Sequence, residues 1–274
     1  MSPTDPTGPA VAGDPSPRSS AHQLGRIVAL TIIGLAGLWI AAVIWTSRTN
    51  PSVGLDYRWH VAAAQRLLDT GTPYLPWQLT GPYVIGNGAI LYPPTAFLLF
   101  IPFIWLPPVL WWAVPIAITA WALWWHRPPL WAWAVMALLF AFDRSLNVYV
   151  FGNPSMWVVA AIGAGTVLAW PFVFVFAKPT FAPIAFLGIR HRSWWVALGI
   201  LAVASLPFLP VWFDWLKVVT NSDVSVLYNL PTLPLMLIPL VAWAAGRHRP
   251  AWIDGLAASL RPDRAPAVAP AQEA

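Results

Sequence analysis

IVALTIIGLAGLWIAAVIW, residues 27–45, is an uncharged apolar run that follows Arg18 and Arg26. A bilayer's hydrocarbon core needs about 20 such residues for one helical crossing. A cleaved signal peptide has an apolar core of only about 7–15 residues. This run is longer and lacks a small-x-small cleavage site, so it reads as a retained first membrane helix with its N-terminus in the cytoplasm. The rest of the chain follows suit. Of its 274 residues, 58% are hydrophobic and 9% charged, against about 25% charged in a soluble domain. The expected fold is all-α, a polytopic transmembrane bundle of about eight spans.

The net charge is +5 and the isoelectric point near 10.0. The cations sit in short loops between apolar runs, which makes them topology signals and lipid-headgroup contacts rather than a nucleic-acid surface. With no cysteine, disulfides, thiolate metal sites and thiol nucleophiles are excluded. Residues 1–26 are rich in Pro, Ser, Thr and Gly and read as a disordered cytoplasmic tail. Residues 27–249 form the membrane domain, and 250–274, rich in Pro and Ala, a second loose cytoplasmic tail.

Between the first run and about residue 91 lies a polar stretch, an external loop over 46–91 by the first helix's orientation. Within it Tyr57, Val61, Ala64, Leu67 and Leu68 recur at helical spacing, with Arg58, Gln65, Arg66 and Asp69 mostly opposite. That pattern predicts a short amphipathic helix along the membrane surface, ended by Gly71. Apolar runs follow at about 92–106, 107–125, 130–142, 155–170, 171–189, 193–210 and 231–246. The basic clusters Arg190-His191-Arg192 and Arg247-His248-Arg249 predict cytoplasmic ends, with 211–230 external. A cytoplasmic Arg127 conflicts with counting 92–106 and 107–125 as two full spans; one of them is a half-span, or the rule fails there.

Asp56 is the first candidate for chemistry. Asp is a favoured helix N-cap; a carboxylate at the membrane surface is also a general base within reach of a hydroxyl. Lys178 is the second. A charge at membrane depth is costly and marks a functional site by default, and Pro179 beside it breaks the helix. Lys178 either binds a phosphate entering from the lipid or snorkels to the headgroups. Arg58 and His60 are further candidates for phosphate contacts, and Tyr92 and Asn153 for the pocket. The 20 Trp suit the aromatic belts of both interfaces, with a few left to stack on a sugar or a prenyl chain. No metal constellation or nucleotide loop stands out, so no metal or cofactor is expected.

These residues fall in a recognisable order. Leu55-Asp56-Tyr57 follows the first helix. Leu67-Leu68-Asp69-Thr70-Gly71-Thr72-Pro73-Tyr74 closes the surface helix. Tyr92-Pro93-Pro94 enters a proline-punctuated run through Pro102 and Leu106-Pro107. Gly152-Asn153 makes a turn, where the family below usually has Gly-Gln-x-Asn. Lys178-Pro179 leads to Arg190-His191-Arg192-Ser193-Trp194-Trp195. Over about residues 27–215 the chain resembles the GT-C glycosyltransferases of the family 87 type, which include polyprenol-phosphate-mannose-dependent mannosyltransferases; that family usually continues through further C-terminal spans. The resemblance implies a multi-pass plasma-membrane enzyme whose active site faces away from the cytoplasm. It implies a polyprenyl-phosphate sugar donor, with mannose as the sugar, and a lipid or glycan acceptor. Asp56 would be the general base of an inverting transfer and Lys178, with Arg58, the phosphate-binding cations. Two other readings are a transporter or flippase of polyprenyl-linked material, and a non-catalytic relative acting as a membrane partner.

Overall fold

The computed structural model describes residues 17–247 except 48, 87 and 226, with backbone alone for 17–22 and Arg247. Residues 1–16, the expected tail 250–274, and His248 and Arg249 of the second basic cluster lie outside the described residues. The described chain is helical and holds no strand; one isolated bridge joins Tyr83 to Ser222. In chain order the helices are α1 (Pro17–Ser47), α2 (Leu55–Thr70), α3 (Pro76–Thr80), α4 (Phe97–Phe100), α5 (Val109–His126) and α6 (Leu130–Ala141). They continue with α7 (Asp143–Phe151), α8 (Ser155–Leu168), α9 (Ala182–Ala185), α10 (Arg192–Ser205), α11 (Leu209–Asn221) and α12 (Leu233–Arg247). Tight 3-10 turns flank α4 and fill 170–177, 179–181 and 186–188. Helix α1 begins at Pro17, so it takes in residues 17–26, which composition alone assigns to the tail.

Three helical stretches are long and apolar enough to cross a membrane: Gln23–Ser47, Val109–His126 and Arg192–Asn221. A fourth candidate is the pair α6 and α7, bent by 66°. The other four of the eight expected runs are shorter helical stretches, Pro94–Ile104, Ser155–Leu168, Pro179–Gly188 and Leu230–Gly246, and two of these take special forms. Pro93, Pro94 and Pro102 remove backbone donors, and the run at 92–106 becomes the short stretch Pro94–Ile104. Both of its ends stay near one end of the bundle: Tyr92 bonds Asn153, and Phe103 packs on Trp111, whose indole reaches Gly152. A short stretch with both ends there is compatible with the half-span, one of the two alternatives at Arg127. The run at 171–189, broken at Pro171, Pro179 and Pro183, enters and leaves at the opposite end, where Gly188 packs against the Ala169 carbonyl. It forms a hairpin with Lys178 at its tip.

Small residues set the close helix pairs. Helix α1 packs along α6 with Ala29 and Ala36 buried, and Trp39 donates its indole N–H to the Ala141 carbonyl. Gly163 of α8 packs on Ala122 of α5, and α12 lies against α5, α6 and α8. At one end of the bundle Gly246 abuts the His126 carbonyl, and His126 bonds Thr166. Arg127, the 190–192 cluster and Arg247 therefore share that end. Trp124, Trp125, Trp131, Trp170 and Trp195 are exposed around it, as an interfacial aromatic belt is.

Helix α2 buries His60, Ala63, Ala64 and Leu67 against the Pro94–Ile104 stretch, whereas Leu68 is exposed. The buried stripe is thus turned by about one position from the one read off the apolar pattern. A histidine, which that pattern counts as polar, sits at its centre.

Candidate functional site

Two glycine turns bring the site together at the end opposite the basic clusters. Gly54 (φ 68°) and Gly152 (φ 70°) both adopt the left-handed conformation, open to glycine at little cost. The Gly54 N–H donates to the Val150 carbonyl at 2.9 Å, tying the start of α2 to the end of α7. Gly152 is also crowded: a Cβ there would lie 2.7 Å from Trp112 and 3.0 Å from Tyr57. Trp111 donates to the Gly152 carbonyl and Trp112 to that of Tyr149, each at 2.8 Å. Neighbouring tryptophans of α5 thus pin the α7–α8 turn and set Asn153 beside Asp56.

Asp56 is the second residue of α2, which is capped by Gly54 without a side-chain bond. Its carboxylate is therefore not the helix cap. It turns to Asn153, whose amide donates to Asp56 Oδ2 at 2.7 Å. Burial pushes the Asp56 carboxyl above the ordinary carboxylate range, opposed by the Asn153 hydrogen bond and, more weakly, by the Lys178 charge.

Lys178 is 2% exposed, so it does not snorkel. An extended backbone at Lys178 separates two 3-10 stretches and aims the ammonium into the protein. It donates to the Ser155 hydroxyl and lies 3.4 Å from Asn153 Oδ1. The rings of Tyr92 and Phe181 lie 5.7 and 6.0 Å from it, within cation–π range. Asp56 and Lys178 form no direct ion pair; Asn153 stands between them.

Tyr92 closes the cluster, its hydroxyl 3.4 Å from Asn153 Oδ1. Its carbonyl accepts from Tyr74 at 2.9 Å, and the Pro73 carbonyl accepts from Arg66. The Gly71–Tyr74 turn and the Tyr92-Pro93-Pro94 entry thereby hold one another. His60 sits behind Tyr92, ring to ring at 5.0 Å, with its Nδ1 bonded to the Asp56 carbonyl at 2.5 Å. Burial pushes its pKa down to about 4, against the raising effect of that carbonyl bond. It is neutral at pH 7 and packs the helix instead of supplying a cation. Arg58 points away, donating to the carbonyls of Val53 and Pro51 at 2.9 and 3.0 Å. Of the sequence candidates, Asp56, Tyr92, Asn153 and Lys178 meet; His60 supports them from behind and Arg58 lies outside.

Two cavities adjoin the cluster, and Tyr92 lines both. One, of about 30 Å³, is walled by Lys178, Thr180, Ser222, Ser225, Tyr228 and Asn229, without a carboxylate. The other, of about 520 Å³, is apolar and runs along α8 from Pro154 to Leu168, about 20 Å at 1.5 Å per residue. Leu98, Leu168, Trp170 and Phe174 on its wall are also exposed on the outer surface. The polar wall is stitched to the loop before Tyr92. Trp215 donates to the Leu91 carbonyl at 3.0 Å, Tyr83 to that of Val218 at 2.9 Å, and Asn221 to that of Gln78 at 3.1 Å.

Sequence reasoning missed Ser155, which is fully buried between Lys178 and Asn153. A serine opening a helix after Asn-Pro has an ordinary capping explanation, and only the fold brings Lys178 to it. It also missed the wall at 222–229, where isolated Ser, Tyr and Asn carry no motif. No family model matches the sequence, and no curated protein or solved structure matches it.

Proposed function

We propose that the chain is a membrane glycosyltransferase. It moves a sugar from a polyprenyl-phosphate donor to an acceptor hydroxyl on the extracytoplasmic side. The observation that carries this reading is the meeting of Asp56 and Lys178 on one Asn153 side chain, where a donor-lined cavity and an apolar cavity share Tyr92. A carboxylate and an ammonium near one another, but not neutralising one another, suit a reaction that takes a proton at one point and develops negative charge at another. Arg127, Arg190–Arg192 and Arg247 lie at the opposite end, which by the positive-inside rule puts the site outside the cytoplasm; α2 is then an external helix. In this reading the shorter apolar helices α8 and α12 cross the membrane beside the three or four long candidates.

In the proposed reaction Asp56 takes the proton of the acceptor hydroxyl. That oxygen attacks the anomeric carbon, and the bond from this carbon to the phosphate oxygen breaks on the opposite face, inverting the centre. Polyprenyl phosphate leaves, its charge met by Lys178. The apolar cavity along α8 takes the start of the prenyl chain, admitted from the bilayer past Leu98 and Phe174. Mannose is the donor sugar to test first.

The test is transfer by membranes or nanodiscs holding the chain, with Asp56→Asn and Lys178→Ala beside it. The base variant is expected to lose about a hundredfold or more. The cation variant is expected to lose donor kcat/KM more than acceptor kcat/KM. Full transfer by Asp56→Asn would remove the base role. Movement of lipid-linked sugar across proteoliposomes with no transfer product would replace the enzyme with a flippase.

A further inference from the structure

The Asn153 amide has chemically different ends, and only one orientation fits its surroundings. With Nδ2 toward Asp56, it donates to the carboxylate at 2.7 Å. Its Oδ1 then accepts from the Ser155 backbone N–H at 3.0 Å and from the Ser155 hydroxyl at 2.6 Å. Flipped, it would set an acceptor against the carboxylate and a donor against a backbone N–H that cannot turn round. The Ser155 hydroxyl is directed as well. An ammonium has donors only and a hydroxyl has a single proton. Because Lys178 donates to Ser155 Oγ, the Ser155 proton is directed to Asn153. The result is a one-way chain of donors from Lys178 through Ser155 and Asn153 to Asp56 Oδ2. Among the described residues Asp56 Oδ1 accepts no hydrogen bond.

We propose that Ser155 is a positioning residue: it locks the Asn153 amide so that Asp56 Oδ2 stays occupied and Oδ1 is held out as the atom that meets the acceptor hydroxyl. The claim that Oδ1 meets a hydroxyl rests on the transferase reading; the lock itself does not. Lys178, from the hairpin, is the cation facing Asp56, and Tyr92 and Tyr228 lie within reach of its charge. His60 on the same helix is neutral, and Arg58 is turned to the loop at 51–53. The Asn153 hydrogen bond lowers the Asp56 pKa against burial, so loosening Asn153 raises it.

The experiment follows the infrared carboxyl stretch of Asp56 through a pH titration of the full chain in nanodiscs, assigned by its loss in Asp56→Asn. The pH dependence of transfer is measured beside it. Ser155→Ala is expected to move the Asp56 titration to higher pH and lower kcat about tenfold, the effect of one hydrogen bond. Ser155→Thr, which keeps the hydroxyl and the N–H, is expected to titrate as the wild type does. A wild-type titration in Ser155→Ala overturns the proposal. If that variant does not fold, Ser155→Cys, a weak donor of similar size, has to shift in the same direction, and an unshifted titration there equally overturns it. Infrared shifts as expected, with no transfer by the wild type, would overturn the transferase reading and leave the lock standing.

Discussion

At Asp56, burial and hydrogen bonding act in opposite directions, and burial is the larger. A base must be ionised to act, so the acidic limb of the transfer rate is expected above the ordinary carboxylate value of 3.8. Asn153→Ala removes the lowering hydrogen bond and should move that limb higher still; a limb that stays put, or falls, contradicts the role given to Asn153. His60 gives a separate handle on stability. Its folded pKa of about 4 lies below the ordinary imidazole value of 6.5, so its contribution is complete above pH 6.5 and is lost as pH falls toward 4. The gap corresponds to about 3 kcal/mol. Asp56, with its raised pKa, acts in the opposite direction over acidic pH, so the difference between wild type and His60→Phe isolates the histidine. The variant is expected to lose less stability than the wild type between pH 6.5 and 4 in detergent unfolding. Asp56 and Lys178 were both legible in the sequence, because charge is scarce in this chain and costly beside a membrane. Their connection was not: Ser155 and Asn153 are ordinary helix-start residues until the hairpin delivers Lys178 to them.

Among the elements, the most consequential is the hairpin at 170–188. Proline placement and the lone Lys178 announced a broken helix. Its return to the end it entered was not legible, because it depends on Gly188 packing between Trp194 and the Ala169 carbonyl at the end of α8. The short Pro94–Ile104 stretch, with Phe103 packed on Trp111, fits the half-span, one of the two choices left open by Arg127. The stripe of α2 was misplaced by about one position because a buried neutral His60 behaves as an apolar ring. Gly152 carries a double local requirement, a left-handed backbone and close neighbours. Gly152→Ala meets both a left-handed backbone, costing about 1–2 kcal/mol, and contact with Trp112 and Tyr57. It is expected to lower the unfolding midpoint and to cut transfer by displacing Asn153. Unchanged stability and rate would mean that the turn does not set the site. Filling the apolar cavity separates its role from that of the polar cluster. Ala161→Phe is expected to weaken donor binding while leaving the Asp56 titration unchanged, and an unaltered donor KM would remove the prenyl chain from that cavity.

Over the whole molecule, composition pointed to a membrane class, since 9% charged residues is far below the roughly 25% of a soluble domain, and the described residues are all-helical with three or four stretches long and apolar enough to cross a membrane. The pass count was less legible, because hydropathy does not distinguish a crossing from a half-span or a hairpin of the same apolarity. The absence of cysteine makes single-cysteine labelling clean: cysteines at Arg127 and Arg190 should be reached from the cytoplasmic side, and one at Asn229 from the other side. Labelling of Arg127 and Arg190 cysteines from opposite sides would contradict the shared basic end. The site at the other end brings together parts of the chain as distant as Asp56 and Tyr228, and in the proposed reaction its two charges divide the work between acceptor and leaving group. The most direct measurement supplies purified chain in nanodiscs with polyprenyl-phosphate-linked mannose and a hydroxyl acceptor. It follows sugar transfer and polyprenyl phosphate release in the wild type, Asp56→Asn and Lys178→Ala. Coupled transfer and release in the wild type, nearly abolished in Asp56→Asn and selectively impaired toward donor in Lys178→Ala, is the expected result. Undiminished transfer in Asp56→Asn, or no release in the wild type with any polyprenyl-linked sugar, would contradict it.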